Sequence, residues 1–86
     1  MIWLRKAADQ GHPRAMHDLG AIYVKGLGVP PDYVLAHMWF SLSAAKGEQI
    51  AVKNREIVER QMTPAQITEA HNLAREWKPA AQLPPR

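Results

Sequence analysis

Trp3-Leu4-Arg5-Lys6-Ala7-Ala8-Asp9-Gln10-Gly11 and Trp39-Phe40-Ser41-Leu42-Ser43-Ala44-Ala45-Lys46-Gly47 decide the fold, because the second stretch follows the pattern of the first at a shift of 36 residues. At that shift Ala8 falls on Ala44, Gly11 on Gly47 and, just beyond, Ala15 on Ala51. Each block is a tryptophan, a short helical run, an alanine, and a glycine eight residues after the tryptophan. A period in the thirties is the mark of helix-turn-helix arrays, in which each hairpin buries its apolar face on the next. The expected architecture is all-α: an α/α superhelix, or solenoid, of antiparallel helix hairpins with about five helices.

Helix boundaries follow outward from the two blocks. The first helix, residues 3–10, ends at Gly11, a residue suited to the left-handed position past a helix end. Pro13 opens the second, which carries Ala15, Leu19, Ile22 and Tyr23 on one stripe and stops at Gly26-Leu27-Gly28. Asp32 is a natural N-cap for the third, which is expected to bury Ala36, Trp39, Phe40 and Ala44 and to end near Lys46. A fourth helix covers about 48–61. Thr63-Pro64-Ala65-Gln66 combines an N-cap, a first-turn proline and a capping-box glutamine. The fifth helix runs from there through Trp77 to Pro79. Residues 1–78 are expected to form one domain and 79–86 a disordered tail.

Composition narrows the function classes. The 86 residues contain no cysteine, which removes disulfides, thiolate metal sites and cysteine nucleophiles together. The net charge of +3 is spread along the chain without a basic block, so nucleic acid is an unfavoured partner. A basic, nucleic-acid-associated helical protein is still the runner-up reading, motivated by the isoelectric point near 9.6. No run is long and apolar enough to span a membrane. The N-terminus lacks the order of a secretory signal, so the chain as written is expected in the cytoplasm, and in the periplasm if it is a fragment of a longer chain.

The residues Ala15-Met16-His17-Asp18-Leu19-Gly20-Ala21-Ile22-Tyr23, then Gly26-Leu27-Gly28-Val29, Asp32-Tyr33, Ala36, Trp39, Ala44-Ala45 and Gly47 resemble the Sel-one-like repeat, a branch of the tetratricopeptide-like solenoids. The resemblance covers one whole repeat, about 12–47. Residues 3–11 resemble the second helix of a preceding repeat, and 48–78 read as C-terminal capping helices. The stretch Met62 to Trp77 is similar to the helix that often closes bacterial proteins of this family. There is one departure: the repeat register places Arg55, Glu56 and Glu59 where Leu19, Gly20 and Tyr23 stood. The fourth helix is expected to use Ala51, Val52, Val58 and Met62 instead, as a cap with a polar outer face does.

The resemblance implies a protein-protein interaction module, an adaptor or scaffold that binds a peptide or protein. With Gly20 as anchor, the implied groove residues are Arg14, His17, Ala21, Val24 and Lys25. Such a groove would be basic at its ends and apolar in the middle, fitting a peptide with an acidic residue and a small hydrophobe. The apolar residues Ile2, Trp3, Leu4 and Ala7 on the first helix form a second candidate surface, for self-association into a homo-oligomer or docking to a partner.

No enzyme activity is expected, and no catalytic, cofactor-binding or metal-binding residue is assigned. Ser41, Ser43, His17 and Asp18 lack a nucleophile elbow, and Gly26-Leu27-Gly28 lacks the lysine of a phosphate loop. His12, His17, His37 and His71 form no i, i+4 pair with a nearby acid, and His37 and His71 fall on different helices.

Overall fold

The computed structural model describes residues 2–79. Among the described residues five helices follow one another: α1 (Ile2–Asp9), α2 (Pro13–Lys25), α3 (Tyr33–Ala45), α4 (Gln49–Glu59) and α5 (Pro64–Glu76). Their ends are written in local chemistry. The Asp32 carboxylate accepts from the Leu35 N–H at 3.0 Å, closing the first turn of α3. At α5 the capping box is complete in both directions. The Thr63 hydroxyl accepts from the Gln66 N–H at 3.2 Å, and the Gln66 side-chain oxygen accepts from the Thr63 N–H at 2.9 Å. Gly26 ends α2 at φ +71, where its N–H donates to the Ile22 carbonyl. A Cβ at that position would meet Pro31 Cγ at 2.7 Å, so both the backbone conformation and the packing require glycine.

α3 is the central element. α2 packs on one side of it, α4 and α5 on others, and α1 packs on α2. Residues 36–40 are consecutively buried, as a helix surrounded by neighbours must be. Two clusters form around it. Trp39 gathers Ala8, Met16, Leu19 and Met38, with Leu73 and Trp77 from the C-terminal side. Phe40 and Ala36 meet Ala51 and Val58 of α4. α2 and α3 approach closely at Gly20, whose missing side chain leaves room for the Phe40 ring and the Ala36 carbonyl.

The structure adjusts several expectations. Ala44 is half-buried, not fully enclosed, while His37 and Met38, given no core role by the apolar stripe, are buried. α4 ends at Glu59 and α5 at Glu76. Trp77 therefore lies just past α5 in extended backbone, which turns its indole edge-on to Trp39 at a centroid distance of 6.1 Å and 72°. Of the tail expected at 79–86, everything after Pro79 lies outside the described residues.

Candidate functional site

One face of α2, from His17 to Lys25, and the facing side of α4 line a cleft of about 330 Å³. From α2 come His17, Ala21, Val24 and Lys25, the spacing expected of one helical face. α3 contributes Phe40 to the floor, and α4 contributes Asn54, Ile57 and Val58. Ile57 is exposed at the rim, as is Lys25.

Four of the five residues expected to face a groove therefore line one cleft. Arg14 is not among its lining residues: its guanidinium reaches forward one turn to Asp18, 3.5 Å away. The expected basic character at both ends becomes a single cation, Lys25, at one end.

His17 lines the cleft without offering it a free polar atom. The Asn54 side-chain amide donates to Nε2 at 2.8 Å. Nε2 is then the acceptor nitrogen, and Nδ1–H donates to Asp18 at 3.1 Å. The ring is 12% exposed and tilted against Phe40 at 5.6 Å. Nε2 ties α2 to α4 through Asn54 and Nδ1 is held by Asp18 on α2 itself, so both nitrogens are occupied and His17 shapes the wall of the cleft.

The cleft is apolar through Ala21, Val24, Phe40, Ile57 and Val58, with polarity confined to Lys25 and the Asn54–His17 pair. Sequence reasoning missed the whole α4 contribution. The loss of the repeat's inner stripe there points to a cap, and no pattern announces that Asn54 meets His17 across 37 positions.

On α1, Ile2, Trp3 and Ala7 line a hollow of about 400 Å³ together with Lys6 and Gln10. Ile2 is 75% exposed and Trp3 85%. Leu4 departs from the expectation: half-buried, it packs against the Trp39 cluster. The face that Leu4 shares with Ala8 is the one α1 buries, since residues four apart lie on one side of a helix.

A third group joins α3, α4 and α5. His37 Nε2–H donates to Glu59 at 2.7 Å, and the Ser41 hydroxyl lies 3.4 Å from Nδ1. The His71 ring sits 5.2 Å from that of His37, inclined at 55°. Burial pushes His37 below its ordinary pKa. The hydrogen bond and charge of Glu59 oppose this only in part, and His71 and Arg55 add to the depression. His37 and His71 lie on different helices, as expected, and the packing of α4 and α5 on α3 brings them together at Glu59, with one ligand-type atom each within 4.8 Å of the others. Ser43, by contrast, is buried in the α2–α3 seam, where its hydroxyl donates to the Pro13 carbonyl at 2.7 Å.

Comparison with known proteins fits this arrangement of hairpins. A family model described as Sel1 repeat matches residues 1–12 and 13–48. Among solved structures, a protective antigen present in uropathogenic Escherichia coli strains, described as displaying an SLR fold, is similar at a TM-score of 0.84 and 40% sequence identity. The match covers 88% of this chain and 16% of the antigen, so the chain spans a small part of that protein's length. No curated protein sequence matches. The period of 36 residues, the α3-centred packing and the family match lead to one assignment: the chain belongs to the Sel1 repeat family.

Proposed function

We propose that the protein is an interaction module that binds an extended peptide segment of a partner protein in the α2–α4 cleft. Sel1 repeats are in general protein-interaction modules and non-enzymatic scaffolds. The observation that carries the finer reading is the cleft itself. Its apolar floor of Ala21, Val24, Phe40 and Val58 leads to one cation, Lys25. An apolar floor accepts a small hydrophobic side chain, and an ammonium at its edge selects for a carboxylate beside it. The cleft lies near the small end of ligand-site volumes, roughly 300–1,000 Å³, which suits one or two side chains and not a folded surface.

Selection of a random displayed-peptide library on the chain tests this. The expected winners carry an acidic residue next to a small apolar one. Lys25→Glu is expected to replace the acidic preference with a basic one. Ile57→Asp, at a position already exposed, is expected to weaken the selected peptides about tenfold or more. Winners without an acidic residue, or with the same charge preference on Lys25→Glu, would contradict the reading.

The exposed α1 face supports a second contact. We infer that Ile2, Trp3 and Ala7 dock against a second copy of the chain, because an indole 85% exposed beside an apolar hollow is stabilised by cover. Sedimentation is expected to show a concentration-dependent dimer that Trp3→Glu abolishes. A monomer throughout the accessible concentration range would rule it out.

A further inference from the structure

The polar group among α3, α4 and α5, of which His37 is the buried member, lies apart from the cleft and from the α1 face. We propose that His37, Glu59 and His71 form a divalent transition-metal site of the zinc class, which ties the C-terminal helices to the central helix of the repeat.

Three observations support it. The first is the donor set: two imidazoles and one carboxylate are the ligands that zinc takes in three-protein-ligand sites, with the fourth position left to solvent. The second is convergence. One donor atom from each of three helices lies within 4.8 Å of the other two. Tetrahedral coordination at about 2.0–2.1 Å places ligand atoms about 3.3 Å apart. His37 Nε2 and Glu59 Oε2, now 2.7 Å apart, would separate by about 0.6 Å, and the widest pair would close by at most about 1.5 Å.

The freedom for this exists where it is needed. Glu59 is the last residue of α4 with a side chain 34% exposed, and His71 is exposed on α5. His37 is the fixed member, fully buried on α3.

The third observation is the support behind His37. Without metal its Nε2–H donates to Glu59. To ligate through Nε2 the ring takes the other neutral tautomer, with Nε2 bare and the hydrogen on Nδ1. The Ser41 hydroxyl, 3.4 Å from Nδ1, is then the acceptor that orients the ring, the usual arrangement behind a ligating histidine. Arg55 acts against the site as the nearby cation that also disfavours charge on His37, so a moderate affinity is expected, not that of a closed four-ligand site.

The consequence is mechanical. α4 and α5 both pack on α3, and a metal bridging one residue from each would join all three at one point. For a chain of 86 residues such a staple adds to a small core.

The test is titration of the full, tag-free chain with Co²⁺, followed by displacement with Zn²⁺. One equivalent of Co²⁺ is expected to give visible d–d absorption that Zn²⁺ removes, and Zn²⁺ is expected to raise the melting temperature. His71→Ala and Glu59→Gln alter exposed or half-exposed side chains, so both are expected to keep the native far-ultraviolet dichroism. Each should weaken binding by about tenfold or more. His12→Ala, at the exposed start of α2, should leave binding unchanged. Absence of stoichiometric binding up to millimolar metal would overturn the proposal. So would unaltered binding by His71→Ala, which would place the metal elsewhere.

Discussion

Trp39→Ala is expected to abolish the cooperative thermal transition. The indole is 2% exposed and sits in the cluster that joins α1, α2 and the C-terminal side to the central helix. Its cluster includes Ala8 and Leu4 of α1, Met16 and Leu19 of α2, and Leu73 and Trp77 from the C-terminal side. Truncating a buried Trp costs about 3–5 kcal/mol, the lost transfer energy plus the cavity left behind. The loss also removes the edge-on contact with Trp77 and the guanidinium of Arg5, 5.8 Å from the ring centre. A domain has roughly 5–15 kcal/mol in total, and a short chain sits low in that range. Most of the margin is therefore gone. Calorimetry should show a broad, shallow transition, and a sharp melt near that of the parent would contradict the central role given to α3.

The second large effect runs against helix propensity. Gly20 lies inside α2 in ordinary helical backbone, where alanine is ordinarily better by about 1 kcal/mol. A Cβ there would fall 2.7 and 2.8 Å from two carbons of the Phe40 ring and 3.2 Å from the Ala36 carbonyl oxygen. The ring is buried in one cluster with Ala51 and Val58, and the carbonyl belongs to the backbone of α3 itself, so the added carbon is accommodated only by a shift in this packing. Overpacking of this kind typically costs about 1–3 kcal/mol. Gly20→Ala is thus expected to lower stability despite the better propensity, by several degrees in melting temperature for a chain of this size. Phe40→Leu should lower the stability of the parent yet recover part of the Gly20→Ala loss, because it withdraws the atoms that collide. A melting temperature raised by Gly20→Ala would show that the α2–α3 approach is looser than these distances.

Much of the fold can be read before any coordinates. The tryptophan-to-glycine blocks set the period, and Asp32, Pro13 and the Thr63–Gln66 pair mark helix starts by chemistry that acts within four residues. Gly20 and Ala36 read as a close approach because small residues have few other uses in a buried seam. The α2 side of the cleft is legible through the family resemblance: His17, Ala21, Val24 and Lys25 share a face by helical geometry, and the resemblance, anchored on Gly20, marks that face as the groove.

What is not legible depends on which helix meets which. Asn54 and Ile57 belong to a helix whose apolar stripe departs from the repeat, so no register carries them to the cleft. Glu59 stands where the repeat has Tyr23, and reads as a solvated acid on a cap. Its meeting with His37, 22 residues earlier, follows from α4 and α5 both returning to α3. The sign of something unusual was His37 itself, a histidine within the apolar run of the central helix.

The most direct test of the binding claim is amide chemical-shift mapping of the chain with a selected acidic–apolar peptide. The account expects the largest shifts at Ala21, Val24, Lys25, Asn54 and Ile57, with α1 and the His71 face of α5 unmoved. Shifts concentrated on Ile2, Trp3 and Ala7, or spread evenly over the basic residues and lost with added salt, would contradict a peptide-binding α2–α4 cleft.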